Sequence, residues 1–191
     1  LRIFALQDEY LTTIDAVISF LQHADETLAY QICNDNFLPQ ASRFEQLEDL
    51  DWAFGTLGIR DKARHLATLY LEDLSDFIKE NIDPNFGFSR YAEKLAMSAT
   101  SFDVLNEELQ ADYSFIDAIL TTLLSEKIEE QQPTLVIITA PFPGNVYGAL
   151  RCGEYIKNNY PKIKISLGGG YANTELRSLS DTRVFNYVDF I

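Results

Sequence analysis

Cysteine is scarce in this chain, and the scarcity removes several chemistries at once. The 191 residues hold two, Cys33 and Cys152, far apart and outside any metal-ligand spacing, so a disulfide framework, a zinc finger and a cysteine-held iron–sulfur cluster are all excluded. Reduced, buried thiols are the expectation. Histidine is equally rare: His23 lies in LQHADET and His65 in DKARHLA. No nucleophile–histidine–acid arrangement can be assembled from them, and both read as ordinary helix-surface residues. No apolar run reaches the roughly 20 residues of a membrane span, and the amino terminus lacks a basic-then-apolar leader, so a cytoplasmic protein away from membranes is expected. Basic residues are outnumbered, 15 Lys and Arg against 29 Asp and Glu for a net charge of −14, which disfavours binding to a nucleic-acid backbone. Repeats and low-complexity tracts are missing too, whereas 47% of residues are hydrophobic and 13% aromatic. That is the composition of a folded globule.

The charge is unevenly spread. Residues 1–132 carry 9 basic and 25 acidic side chains, a balance of −16, and residues 133–191 carry 6 and 4, a balance of +2. We therefore read an acidic, mainly helical part, 1–132, followed by a differently built part, 133–191. Three apolar stripes at helical spacing support the first reading: Tyr10, Leu11, Ile14, Val17, Ile18 and Leu21; Leu66, Leu69, Tyr70, Leu74, Phe77 and Ile78; and Phe115, Ile116, Ile119, Leu120, Leu123 and Leu124. Each is expected to be a core face. Thr27 to Cys33 is a weaker helical segment. Between the stripes, Asp83-Pro84-Asn85-Phe86-Gly87-Phe88 is turn chemistry with two aromatics, which either pack locally or cover a site, local packing being the ordinary outcome.

At Pro133 the pattern changes to that of an α/β protein. Thr134 to Ala140 is a continuous β-branched apolar run, expected as a strand buried on both faces of a parallel sheet. Pro141-Phe142-Pro143-Gly144-Asn145 breaks it, Asn145 being a candidate N-cap for a helix over Val146 to Asn159. A second strand over residues 163–168 runs into Gly168-Gly169-Gly170, Asn173 or Thr174 caps the next helix, and Tyr187 to Ile191 supplies a third strand. The order is βαβαβ, a parallel sheet covered by helices, with strands at 134–140, 163–168 and 187–191. So narrow a sheet calls for a further strand from earlier in the chain, or for a second copy covering its edge in a homodimer. Ligands of such sheets sit beyond the carboxyl ends of the strands. Three glycines there either let a ligand approach the backbone or merely allow a tight turn and close helix packing. The spacing matches neither a Walker loop nor GxGxxG.

The segment PTLVIITAPFPGNVYGALRCGEYIKNNYPKIKISLGGGYANTELRSLSDTRVFNYVDFI, about the last third of the chain, resembles the cobalamin-binding-type domain that precedes the radical SAM domain in many bacterial enzymes. The resemblance implies a flavodoxin-like parallel sheet. It also implies cofactor-binding positions at Thr139, Pro141, Gly144, Asn145, Gly168, Gly169, Gly170, Tyr171 and Asn173. Cobalamin is the implied cofactor, while S-adenosylmethionine and a 4Fe-4S cluster would belong to a carboxyl-terminal radical SAM barrel of the same parent chain, the implied partner. Three features depart from that pattern. DxHxxG, which places a histidine on cobalt, is absent, Asp61 and His65 being four apart; CxxxCxxC is absent; and the family's first strand and its Pro-rich turn are not seen, the acidic helical part replacing or interrupting the usual early βα units. Any cobalamin would therefore be held without histidine ligation.

Starting at Leu1 and stopping within YVDFI, the chain is expected to be a fragment of a longer protein and not catalytic alone. The alternative is a non-catalytic interaction domain with a degenerate ligand site. Acidic pairs such as Asp49/Asp51 and Glu72/Asp73 are expected to be solvated surface. Arg177, Asp181 and Arg183 either hold an anion or pair with one another, and pairing is the simpler expectation.

Overall fold

Alternating helical stripes and one βαβ segment fold into two compact units, Leu1–Glu80 and Asn81–Ile191. The computed structural model describes residues 5–34, 36–46, 58–88, 91–97, 101–176 and 180–191; Asp49, Asp51 and Arg177 lie outside them. The charge break at 132/133 thus falls inside the second unit.

In the first unit, α1 (Gln7–Leu21), α2 (Leu28–Ile32) and α3 (Ile59–Asn81) surround a core that includes Tyr10, Val17, Phe20, Ile32, Leu66 and Tyr70. The buried face of α1 is Tyr10-Thr13-Val17-Phe20, a 3-4-3 spacing. The expected stripe is corrected accordingly: Leu11 and Ile18 are exposed. Thr13 can take the inner position because its hydroxyl donates to the Glu9 carbonyl at 2.7 Å and meets the Tyr70 hydroxyl at 3.1 Å, so its own polar group is paired inside the core. A second correction concerns Asp73. Far from being solvated, it is buried on α3 and accepts hydrogen bonds from the Ala41 and Arg43 amides and the Ser42 hydroxyl. It thereby ties α3 to the 3-10 turn Ser42–Gln46.

In the second unit, the chain runs through α4 (Glu93–Met97), α5 (Asp103–Gln110) and α6 (Phe115–Gln131) into strand β1 (Leu135–Thr139). Helix α7 (Val146–Asn159), strand β2 (Lys164–Gly168) and the single turn α8 (Gly170–Thr174) follow. A capping box starts α6: the Ser114 hydroxyl accepts from the Asp117 amide, and the Asp117 carboxylate accepts from the Ser114 amide. Gln132, in the left-handed region at φ 47°, ends it. The two strands pair in parallel from Leu135↔Lys164 to Thr139↔Gly168, so the protein is of mixed α/β class, as the sequence indicates.

Three details of that reading are corrected. The third strand is reduced to an isolated parallel bridge, Ser166↔Phe190, after a 3-10 turn over Thr182–Asn186. No further strand joins the sheet among the described residues. Strand β1 is not buried on both faces: Val136 and Ile138 pack on the core, whereas Leu135 and Ile137 are exposed, because the described residues cover one face of this short sheet. Helix α6 departs from its stripe in the same way. Ile116, Leu120 and Leu124 turn inward, while Phe115, Ile119 and Leu123, spaced at i, i+4 and i+8, are 63%, 44% and 57% exposed.

Candidate functional site

The three glycines sit where strand order puts them, at the carboxyl end of β2, and what approaches them is the chain itself. Gly169 has φ 104°, a left-handed conformation in which a Cβ would lie 2.7 Å from the Ala140 carbonyl oxygen. A Cβ on Gly170 would lie 2.9 Å from the Pro141 carbonyl oxygen, whereas at Gly168 it would meet nothing within 4 Å. The turn after β2 is thus pressed onto the turn after β1. The Ala140 amide donates to the Gly168 carbonyl at 2.8 Å, and the Tyr171 amide donates to the Ala140 carbonyl at 3.1 Å. Asn173 and Thr174 lie inside α8, and its N-cap is Gly169. This corrects their expected capping role, because the left-handed glycine already turns the chain into the helix. Asn145 does occupy the N-cap position of α7, but its side chain makes no capping hydrogen bond.

A cavity of about 470 Å³ opens beside β1 instead. Thr139, Gly144 and Asn145 reach its wall, and Pro141, Gly168, Gly169, Gly170, Tyr171 and Asn173 do not. Three of the nine sequence-derived positions are therefore brought together. Gly148 and Ala149 of α7, and Ile116 and Leu120 of α6, make the apolar floor. The Asp83–Phe88 turn supplies Phe86, Gly87 and Phe88, the two rings edge-to-face at 5.0 Å. The turn is fastened at its base: buried Asp83 accepts from the Asn85 amide at 2.9 Å and from the Tyr91 hydroxyl at 2.8 Å. What reads as local packing in the sequence is both packing and a wall.

Asp117 and Cys152 complete the lining. Asp117 is 1% exposed, and its Oδ2 accepts from the Ser114 amide at 3.1 Å and the Tyr147 hydroxyl at 2.8 Å, with Arg151 Nε at 3.4 Å. Its Oδ1 is buried and has no hydrogen-bond partner. Arg151, also 1% exposed, donates to the Leu109 and Glu108 carbonyls at 2.8 and 3.0 Å, to Glu154 at 2.6 Å and to the Tyr147 hydroxyl at 2.7 Å. Burial works against its charge, but the Tyr147 and Glu154 contacts outweigh it and raise its pKa. Burial also raises the Tyr147 hydroxyl and pushes the Cys152 thiol up to about 11, so the cysteine is a neutral wall group and not a poised nucleophile.

Sequence reasoning passed over Asp117, Arg151 and Gly148. The readable signal was Ser114-x-x-Asp117, a capping-box spacing before an apolar run. Arg183 is engaged by Asp181 at 2.6 Å and Asp103 at 2.7 Å. His23 pairs with Glu26 at 2.8 Å on the surface of the first unit. No group of three or more His, Cys, Asp or Glu among the described residues is arranged to hold a metal ion, and no described helix is long and apolar enough to cross a membrane. A scan against protein-family models gives no match, and searches for similar curated proteins and similar solved structures give none either.

Proposed function

We propose that residues 81–191 are a ligand-binding accessory domain of the cobalamin-binding type, built on a flavodoxin-like sheet and serving a radical SAM barrel elsewhere in the parent protein. The barrel would supply the S-adenosylmethionine and 4Fe-4S chemistry. The observation that carries this reading is the apolar cavity at the carboxyl end of β1, whose volume falls within the range of small-molecule sites. Its fit to cobalamin is partial. The cavity has room for the apolar base of the tail, with the phosphate left outside it, and is too small for a corrin macrocycle, which would have to lie on the surface beside Thr139 and Asn145. The unit contains no histidine, so an axial histidine from these residues is excluded. Gly169 and Gly170 are occupied by packing against Ala140 and Pro141, and Gly148, whose added Cβ would meet only Leu120 Cδ2 at 3.9 Å, is the cavity glycine that leaves room.

Titration with hydroxocobalamin, followed in the visible spectrum, tests the reading. Binding without a histidine-ligated spectrum, lost when Gly148→Leu fills the cavity, is expected. No binding at millimolar cofactor defeats the cobalamin assignment, and binding that survives Gly148→Leu defeats the role of the cavity.

A second reading, a protein-interaction domain, is favoured by the exposed stripe Phe115, Ile119 and Leu123 on α6 together with Leu135 and Ile137 on β1. It expects a self-associating chain, through the open β1 edge or this stripe, that Ile119→Glu returns to monomer in sedimentation velocity. A wild-type chain that sediments as a monomer at high concentration removes self-association from that reading.

A further inference from the structure

Asp117 is part of the cavity wall, its Oδ2 is fully used, and its Oδ1 is buried without a partner. Leaving a buried acceptor unpaired costs about 1–3 kcal/mol, more when it is charged, and the adjoining groups offer no relief. The five donors of Arg151 are directed to Tyr147, Glu154 and the Glu108 and Leu109 carbonyls, with Nε near Oδ2. Ser114 and Tyr147 both donate to Oδ2. The neighbouring charges are unbalanced as well. Asp117 and Glu154 share one guanidinium, and buried Asp83 lies behind the wall residue Tyr91. Acceptors and anions are therefore unwelcome in this cavity, and a donor is wanted.

We propose that the cavity selects a compact apolar ring bearing an N–H or O–H donor, which is recognised by Asp117 Oδ1 within an apolar lining that includes Phe86 and Leu120. This deepens the ligand-binding reading above and rests on it. Asp117 is the specificity-determining residue, and the apolar wall supplies the affinity. A ligand able to pair with the carboxylate removes the cost of the orphaned oxygen, whereas one of equal shape without a donor leaves that cost in place. The capping-box bond and the Tyr147 bond hold the carboxylate in orientation before any ligand arrives, and because Oδ1 is itself buried the adjoining lining must give slightly for a donor to reach it.

The test compares indole with benzofuran, which have nearly the same shape and differ in one N–H donor, using the full chain and ligand-observed and amide-detected NMR. Benzoate, an anion with acceptors only, is the third probe. Indole is expected to bind about tenfold tighter than benzofuran, to shift the Thr139 and Gly148 amides, and to leave benzoate without measurable binding. Asp117→Asn, which can still accept the Ser114 and Tyr147 hydrogen bonds while presenting an amide to the cavity, should bring the indole-to-benzofuran ratio towards one. Equal affinity of the wild-type chain for indole and benzofuran, or tighter binding of benzoate, overturns the donor inference and leaves the cavity reading intact. Failure of all three probes to shift these amides overturns the cavity reading itself. The wild-type comparison stands without the variant should Asp117→Asn fail to fold.

Discussion

Two glycines five residues apart in α7 should respond oppositely to the same substitution. Alanine in a helix interior is favoured over glycine by about 1 kcal/mol, and at Gly148 nothing opposes the gain, because the nearest atom to an added Cβ is Leu120 Cδ2 at 3.9 Å. Gly148→Ala should therefore stabilise the protein by about 1 kcal/mol. At Gly153 an added Cβ would lie 2.2 Å from the Tyr187 carbonyl oxygen and 3.1 Å from its carbon. The obstacle is backbone and must retreat by roughly 1 Å to restore ordinary contact. Tyr187–Phe190 is not free to do so. The Tyr187 hydroxyl donates to Asn106 at 2.9 Å, Lys157 reaches the Val188 carbonyl at 3.2 Å, and the Asp189 and Phe190 amides donate to the Ile165 carbonyl at 2.8 and 3.1 Å. Overpacking of this kind costs about 1–3 kcal/mol, and each hydrogen bond stretched in the retreat adds up to about 1 kcal/mol. Net of the helix gain, Gly153→Ala should destabilise by about 2 kcal/mol. Urea denaturation of both variants, with hydrogen exchange read at Ile165 and Phe190, measures the contrast. A Gly153→Ala protein as stable as the wild type would refute the close approach of α7 to Tyr187.

The other glycines and two titrating groups give further tests. Gly169→Ala is expected to cost about 2 kcal/mol or more through its φ of 104° and the Ala140 backbone, while Gly168→Ala should cost little, since its Cβ meets open space; equal costs in thermal denaturation would contradict this. The Ile165 amide, and then Lys157 and Lys164, hold the Asp189 carboxyl below its usual range. Its stabilisation should be present above about pH 4 and disappear as the pH falls through the lowered value. Asp189→Asn should accordingly lower the denaturation midpoint at pH 7 and converge with the wild type once the pH has fallen below the lowered value; a pH-independent difference would remove the charge from the account. Cys152, with about a hundredfold less thiolate than an exposed cysteine at neutral pH, should alkylate slowly in the folded chain, and indole should slow it further. Labelling as fast as in the urea-unfolded chain would place the thiol outside the wall.

What the sequence discloses follows the range of the interactions concerned. The parallel pairing of 135–139 with 164–168 was readable because β-branched runs, a proline break and a helix of fixed length leave one short-range solution. The half-exposed state of β1 and the outward stripe of α6 were not, since both depend on how many strands and helices cover them. Apolar residues alone do not report that. Asp73 and Asp117 look like surface acids because one-dimensional pattern counts charge; their partners at Ala41–Arg43 and at Tyr147 and Arg151 come from thirty or so residues away. Of the three glycines, Gly169 and Gly170 lie against the Ala140–Pro141 backbone and Gly168 meets open space, a division that the run of glycines in the sequence does not disclose. Thr139, Gly144 and Asn145 reached the cavity because the end of β1 is a place fixed by topology, whereas Phe86 and Phe88 arrive from a turn whose position only the tertiary fold determines.

Arg151 makes the second unit cooperative. Its guanidinium, at 1% exposure, is satisfied only when the last turn of α5 presents the Glu108 and Leu109 carbonyls, the first turn of α6 presents Asp117, and α7 carries Tyr147 and Glu154 into the same place. The two carbonyls of α5 lie 42 and 43 residues away along the chain. Any partly assembled state that buries the arginine without all three leaves a charge short of partners, at a cost of several kcal/mol. States that leave it in water forfeit the packing of α7. Such an arrangement penalises intermediates more than it favours the native state, so α5, the start of α6 and α7 should be gained and lost as one step, with the cavity wall made by α6 and α7 appearing only in the fully assembled molecule.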